Sequence, residues 1–286
     1  MPELPEVETV RQGLQHWTSG LIIRDVEVRH PRAVRRHEAG PQDFRSLLRD
    51  RRLDLVERRG KFLWWPLGDL ALVGHLGMSG QFRVDADVNE HTRICFDLDR
   101  MLLFDDQRTF GGMWIDTLDG DTPAGLSHIA ADPFSAAYDR RRVVQIIRSR
   151  RTAVKALLLD QSVVSGIGNI YADEALWQAR VHWRTPGAAL SARKTGELLD
   201  AAREVMARAI EAGGTSFDRL YVNVNGSSGY FQRDLMAYGQ EGLPCARCGT
   251  PILREAFSNR SSYRCPRCQR LPRRVLLDHH RAVMSS

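Results

Sequence analysis

The spacing of apolar positions changes early in the chain. Val7, Val10, Leu14 and Trp17 recur at helical intervals, and Pro5 suits a first helical turn with Glu6 and Glu8 close behind it. This predicts a short amphipathic helix almost at the start of the sequence. The period then shortens towards two. Runs at 21–29, 52–58, 61–67, 71–75, 81–84, 93–98, 101–104 and 113–117 are alternating or β-rich, punctuated by Gly60, Gly68, Gly74, Gly77 and Gly80. That many short strands in so short a stretch argue for a sandwich or a barrel.

Residues 118–133 are rich in turn formers and make the best linker candidate. Beyond them the pattern turns helical, over 134–150, 154–159, 169–179 and 192–212. A polar, glycine-containing segment at 213–229 reads as a long loop, and a cysteine-rich module follows. No internal repeat and no low-complexity tract interrupts this order.

The 286 residues suffice for one large domain or two modest ones, and 43% hydrophobic with 27% charged residues suits a globular chain rather than a disordered one. A formal net charge of +6 hints at a polyanionic partner, a weak signal alone. No stretch approaches the ~20 apolar residues of a membrane span, and no hydrophobic signal core opens the sequence. The expected setting is the cytoplasm, with no membrane partner.

Of five cysteines, Cys95 lies alone in an alternating run and reads as inert core. The others form two C-x-x-C knuckles, Cys245/Cys248 and Cys265/Cys268, sixteen residues apart. Four thiolates at that spacing close a tetrahedral site around one structural zinc, with iron the alternative. Arg254, Arg260, Arg264, Arg267, Arg270, Arg273 and Arg274 crowd the module, with Glu255 the one acid among them. Such a surface suits phosphate contacts, or is simply a solvated basic face.

Pro2 carries a distinct possibility. Once an initiator methionine is removed, its nitrogen is a secondary amine. With a pKa near 7.7–8.0, about a tenth or more of an α-amine is unprotonated at neutral pH, against roughly one in a thousand or less for lysine. Attack on a sugar C1′ gives an iminium ion, which acidifies the C2′ proton and permits strand-cleaving elimination. Glu3 is placed to shuttle protons and Glu6 to orient it. Alone, however, Met-Pro-Glu is a common way for a protein to begin.

The run Pro2-Glu3-Leu4-Pro5-Glu6-Val7-Glu8 resembles the N-terminal signature of the formamidopyrimidine-DNA glycosylases, and the likeness extends along nearly the whole chain. Arg58-Arg59-Gly60-Lys61-Phe62-Leu63 is similar to that family's catalytic-lysine hairpin. His75-Leu76-Gly77-Met78-Ser79-Gly80 and Asp106-Gln107-Arg108-Thr109-Phe110-Gly111 resemble its two wedge loops. Asp160-Gln161 through Gly166-Ile167-Gly168-Asn169-Ile170-Tyr171 is similar to its helix–two-turns–helix motif. Gly229-Tyr230-Phe231, Tyr238-Gly239 and the cysteine module complete the match.

The resemblance implies a bifunctional DNA glycosylase and AP lyase of base excision repair, acting as a monomer on duplex DNA with oxidised purines or abasic sites. It makes Pro2 the nucleophile, Glu3 its proton shuttle, Lys61 a proton donor in elimination and Arg260 the phosphate-binding finger arginine. Met78, Arg108 and Phe110 become the wedge that replaces an extruded nucleotide, although Met78 and Phe110 alone would read as core and Lys61 as surface charge. His75, His91, Arg151 and Lys155 fall on DNA-contact positions. Asn169 would bind phosphate with the backbone N–H groups of its turn, or merely cap a helix. Thr109 departs from the pattern, since a second basic residue is common there. The lesion loop is expected within 215–228.

The expected fold is α+β in two domains: an N-terminal β-sandwich with a leading helix, and a helical helix–two-turns–helix domain ending in a zinc finger. The expected bounds are 1–120 for the sandwich, 121–133 for the linker, 134–235 for the helical domain, 236–272 for the finger and 273–286 for a basic tail, with DNA in a cleft between the domains. The rivals are the endonuclease VIII branch of the same superfamily, a DNA-binding protein without catalysis, and a transcription-type zinc ribbon. The last leaves the N-terminal half unexplained, and docking alone needs none of Pro2, Glu3 and Lys61.

Overall fold

The computed structural model describes residues 2–214 and 234–272. The expected lesion loop, the Gly229-Tyr230-Phe231 motif, the tail with Arg273 and Arg274, and Met1 lie outside the described residues. The chain divides into two units, Met1–Ile129 with Ala209–Gln232, and Ala130–Arg208 with Arg233–Ser286.

The first unit opens with α1 (Leu4–Thr18), which buries Leu4, Val7, Val10 and Leu14 along one stripe. Then follow β1 (Leu21–Ile22), β2 (Asp25–Val28), a 3₁₀ turn at Pro31–Val34, α2 (Gly40–Leu48), β3 (Arg52–Leu53), β4 (Glu57–Arg59), β5 (Phe62–Leu67), β6 (Leu70–His75), β7 (Gly80–Val84), β8 (Thr92–Asp97), β9 (Met101–Asp106), β10 (Gly112–Asp119) and β11 (Thr122–Pro123). Two antiparallel sheets result, in the orders β11-β10-β6-β5-β4 and β2-β8-β9-β7, with β1 and β3 paired separately.

The period of two decides what each sheet covers. In β5, Leu63, Trp65 and Leu67 join the main core with Val26, Phe82, Ile94, Phe96 and Phe104 of the other sheet. Phe62 and Trp64 face the opposite way, where Trp64, Ala71, Val73 and Trp114 meet Leu126 and Ile129. The sandwich is therefore real, and one sheet is covered on both faces.

Some boundaries differ from those the pattern indicates. The run at 21–29 is two strands, because β1 pairs with β3 whereas β2 pairs with β8. The run at 52–58 breaks likewise between β3 and β4. Helix α2 left little trace because only Phe44 and Leu48 of its nine residues are buried. The segment read as a linker is partly built into the sheet, since β11 folds back on β10 and Leu126 and Ile129 are buried.

The second unit contains α3 (Arg140–Ser149), α4 (Val154–Leu159), α5 (Asn169–Gln178), most of α6 (Ala192–Glu211), and the hairpin of β12 (Leu253–Phe257) and β13 (Arg260–Arg264). Helix α3 starts six residues later than the pattern suggests because Asp139 caps it, accepting from the Arg142 backbone at 3.0 Å. Helix α5 is buried from Ile170 to Trp177, including Asp173 and Glu174. A helix so enclosed is the unit's central post. Among the described residues no helix is long and apolar enough to cross a membrane.

Candidate active site and nucleic-acid interface

Pro2 and Glu3 are buried at the head of α1. Glu3 is the helix N-cap, and its backbone N–H donates to Glu6 Oε2 at 2.8 Å. Glu6 thus fixes the backbone beside Pro2 rather than reaching a substrate itself. Gly214 lies against it with φ +85°, where an added Cβ would come within 3.3 Å of Glu6 Cγ.

Lys61 sits in the two-residue turn between β4 and β5, where Arg59 opposes Phe62. Gly60 supplies the positive φ of +56° that such a turn demands. Lys61 is only 8% exposed, so it is not the surface charge a lone lysine would suggest. Its turn is tied to α1 through Arg58, which donates to Glu8 Oε2 at 2.8 Å and to the Gly60 carbonyl at 3.0 Å. Burial pushes the Glu8 carboxyl up, but hydrogen bonds from Arg11 and Arg58 outweigh it and leave the pKa below its usual value.

The two wedge segments are organised by a fully buried carboxylate. Asp106 accepts from the Ser79 hydroxyl at 2.6 Å, the Arg108 N–H at 3.2 Å and the Gly111 N–H at 2.7 Å. The His91 carbonyl accepts from the Asp106 N–H at 2.9 Å, which brings the β7–β8 connection to the same hub. Backbones approach so closely that a Cβ on Gly77 would lie 2.3 Å from the Gly111 nitrogen. From this frame Met78 and Phe110 project 37% and 44% exposed, so neither is core. The Arg108 guanidinium lies 5.2 Å from the Phe110 ring centre. Thr109 holds φ +53°, an uncommon left-handed conformation for a β-branched residue.

His75 ends β6 against Phe62, ring centres 4.8 Å apart. Burial, then the charges of Arg36, Lys61 and Arg35, hold its imidazole down at about 4. Its Nδ1 accepts from the Gly77 N–H at 3.1 Å, so the neutral ring carries its proton on Nε2 and acts as a donor. His75, Arg35, Arg36, Phe110 and Trp114 line one small cavity, with the Arg36 guanidinium 4.7 Å from the Trp114 ring centre.

In the second unit Arg151 is exposed. Lys155 is not: it is fully buried, its Nζ 2.7 Å from Asp173 Oδ1 and 3.2 Å from the Ser261 carbonyl. The expectation that it contacts DNA is corrected here, because an ammonium enclosed with a carboxylate has no surface to offer a phosphate. Asn169 Nδ2 donates to the same Ser261 carbonyl at 3.0 Å, and its Oδ1 is a buried acceptor without a partner. With this bond the side chain braces the β12–β13 hairpin. Arg260 opens β13 and is exposed.

The four Sγ atoms of Cys245, Cys248, Cys265 and Cys268 lie within 4.8 Å of one another. Cys248 is 3.5 Å from Cys265 and 3.6 Å from Cys268. Zinc–sulfur bonds of about 2.3 Å in a tetrahedron place sulfurs roughly 3.8 Å apart, so the donor set fits zinc. Trp177 Nε1 and the Cys268 N–H each reach a sulfur at 3.4 Å, as is usual around metal-bound thiolates.

Sequence reasoning missed Arg35, which is lost in an arginine-rich stretch, and the hubs Asp106, Asp173 and Glu174. Glu174 is buried and accepts from the N–H groups of Met236, Ala237 and Tyr238 at 2.8–3.0 Å. Buried acids in an apolar helix were the available signal, since burial demands partners.

Comparison with known proteins agrees with this arrangement. Residues 1–113 match the formamidopyrimidine-DNA glycosylase N-terminal domain, 129–219 its H2TH domain, and 242–271 the zinc finger found in FPG and IleRS. The finger holds one structural zinc. The formamidopyrimidine-DNA glycosylase of Mycolicibacterium smegmatis is 56% identical over 281 residues, covering 96% of this chain and 99% of the relative. That of Streptomyces avermitilis is 54% identical over 283 residues, with the same coverage. The crystal structure of MutM (Fpg) from Thermus thermophilus superposes with a TM-score of 0.84 at 38% identity, covering 95% of this chain and all of that one. A Lactococcus lactis Fpg bound to abasic-site DNA gives 0.85 at 32% identity, covering 94% and 99%. The chain belongs to the formamidopyrimidine-DNA glycosylase family.

Proposed function

We propose that this DNA glycosylase and AP lyase of base excision repair attacks oxidised purines in duplex DNA through the nitrogen of Pro2, and then cleaves the strand. The observation that carries the reading is the buried Pro2–Glu3 head of α1 tied through Glu8 and Arg58 to the turn that bears Lys61. A docking protein needs no such construction. Solved relatives bound to Fapy-dG DNA and to carbocyclic 8-oxo-G DNA support the lesion class.

With Met1 removed, the Pro2 nitrogen bonds to C1′ as the glycosidic bond breaks, and Glu3 handles the proton that accompanies the departing base. Cleavage of the C1′–O4′ bond, with O4′ taking up a proton, opens the sugar and turns this adduct into an iminium, which withdraws electrons so that the C2′ proton is lost and the 3′ phosphate leaves. Loss of the 5′ phosphate then leaves a one-nucleotide gap. Lys61 donates a proton during elimination. Arg260 cannot readily give one up and acts as a clamp on the leaving phosphate.

Met78, Arg108 and Phe110 occupy the space of the extruded nucleotide. Extrusion costs a few kcal/mol, least for a damaged or mispaired base. His75, His91, Arg151 and the turn before α5 meet phosphates or grooves. The enzyme works as a monomer in the cytoplasm.

Borohydride trapping on 8-oxoguanine duplexes, followed by peptide mapping, tests the reading. A cross-link on Pro2 is expected. Absence of any adduct supports docking without catalysis, and efficient trapping only on thymine glycol duplexes supports the pyrimidine branch.

A further inference from the structure

The loop that carries Phe110 is held from a second side, by a residue far from it in sequence. Arg35 follows the 3₁₀ turn at Pro31–Val34, and its Nη1 donates back to the Arg32 carbonyl at 2.9 Å. The same guanidinium then spans three successive carbonyls of the wedge loop. Nη1 donates to Gly111 at 2.9 Å and more weakly to Thr109 at 3.5 Å, and Nη2 donates to Phe110 at 2.9 Å. The turn's backbone also abuts the loop's end, since a Cβ on Gly112 would lie 2.6 Å from the Ala33 carbonyl.

These bonds occur where the loop most needs them. Thr109 is left-handed, Phe110 is 44% exposed, and the carbonyls of 109–111 precede the first pairing of β10. Asp106 fixes N–H groups of the loop at Arg108 and Gly111. Arg35 fixes the carbonyls between and beyond them. A planar fork with five donors can satisfy several converging carbonyls, which a single ammonium cannot do with the same geometry.

We propose that Arg35 is a positioning residue for base extrusion, holding the wedge loop so that Phe110 enters the duplex already ordered. This rests on the reading of Phe110 as the wedge. A loop fixed beforehand loses less conformational freedom on binding, so more of the contact energy goes into opening the base stack. Arg35 touches neither the sugar nor the base in this scheme. Its effect should therefore concentrate in the step that needs the wedge, and spare the step in which no base remains to be extruded.

The test compares Arg35→Leu, Arg35→Lys and Phe110→Ala with the wild type, each as the full-length, zinc-loaded enzyme. Single-turnover base excision is measured on an 8-oxoguanine·cytosine duplex, and strand cleavage on the same duplex with a preformed abasic site. Arg35→Leu should slow excision about tenfold while abasic cleavage falls less than twofold, and Arg35→Lys should lie between. Fluorescence of 2-aminopurine beside the lesion should rise more slowly in Arg35→Leu, reporting delayed wedge entry. Equal losses in both reactions, or no loss in either, would overturn the proposal, because a merely structural role moves both alike. Phe110→Ala separates the two readings. If it slows excision while Arg35→Leu does not, the wedge stands and Arg35 has no part in it. If Phe110→Ala changes nothing, the wedge reading fails and the role of Arg35 fails with it.

Discussion

Lys155 and Asp173 form an ion pair in which both side chains are wholly buried, with Nζ 2.7 Å from Oδ1. The pair anchors one strand. Asp173 also accepts from the Ser262 hydroxyl at 2.8 Å and the Tyr263 N–H at 3.0 Å, while Lys155 donates to the Ser261 carbonyl. Three consecutive residues of β13 are thereby fixed to helices α4 and α5, directly after Arg260. Burial pushes the Asp173 carboxyl above its ordinary range, against the pull of Lys155 and the two other donors.

Removing one partner of such a pair strands the other, so Lys155→Ala should destabilise the second unit by about 3–5 kcal/mol. Asp173→Asn in the same background should recover part of that loss, because no unpaired charge stays buried and the amide oxygen can still accept from the Tyr263 N–H while its NH2 donates to the Ser262 hydroxyl. Urea unfolding of the zinc-loaded proteins measures both. DNA affinity supplies a further discriminator. A lysine that neutralises a phosphate contributes about 0.9 to the slope of log K against log salt, so Lys155→Ala should leave that slope unchanged. A slope reduced by about one would return Lys155 to the interface.

His75 should meet DNA as a neutral donor. With its pKa held at about 4, only about one molecule in a thousand carries a charged ring at pH 7. The sign of the linkage follows. The folded pKa lies below the unfolded value near 6.5, so folding disfavours the proton. The neutral ring's contribution is complete above pH 6.5 and is lost as pH falls towards 4. Nitrogen-15 chemical shifts of His75 should stay constant from pH 8 to 6 and move only near 4. His75→Asn should keep more DNA affinity than His75→Ala, since the amide retains a neutral donor. A shift change centred near 6.5 would refute the assignment.

The parts of this fold that were legible in the sequence are those where one periodicity acts alone. Val7, Val10 and Leu14 gave α1, and the β-rich run at 61–67 gave β5, but its apolar residues left unread which of them face the main core. The metal site was legible because four thiols at that spacing have few other uses. Lys155 was not. A lysine among leucines in α4 resembles a charge on a helix face until Asp173, eighteen positions later, is seen to enclose it. The anchoring roles of Asp106 and Arg35 were invisible for a related reason. Apart from the Ser79 hydroxyl on Asp106, their loop partners are backbone groups, and a backbone group has no letter in the sequence. The loop at 109–111 could be matched to a family by its side chains, but not seen to be held by its carbonyls.

Zinc should be necessary for DNA binding without touching the reaction. Its four sulfurs pack with Trp177, Ala237 and Ile252, and Arg247 crosses from the knuckle to donate to the Trp177 carbonyl at 2.5 Å. Without the metal, the four sulfurs would lose the ligand that joins the two knuckles and the β12–β13 hairpin would lose its base. Cys248→Ser should release about one zinc per chain and abolish binding to abasic-site duplex. Emission spectroscopy can show zinc loss, and gel shift the loss of binding. Undiminished binding by the metal-free protein would remove the finger from the interface.

The tie between α1 and the Lys61 turn gives a prediction in pH as well as in rate. Glu8 is 15% exposed and Arg58 only 7%, so the bond is weakly screened and worth about 1–2 kcal/mol. Because Arg11 and Arg58 hold the Glu8 carboxyl below its usual value of 4.5 despite burial, the charged form is favoured by folding. That stabilisation is fully present above about pH 4.5 and lost as pH falls through the lower folded value. Glu8→Gln keeps the shape but not the charge, so its stability deficit should be greatest at pH 7 and shrink by pH 3. Loosening the turn should also displace Lys61 more than Pro2, whose helix head is set by Glu6. Strand cleavage at a preformed abasic site should then fall several-fold more than borohydride trapping. Equal losses in trapping and cleavage would mean that the Glu8–Arg58 bond supports the whole unit and does not selectively place the lysine.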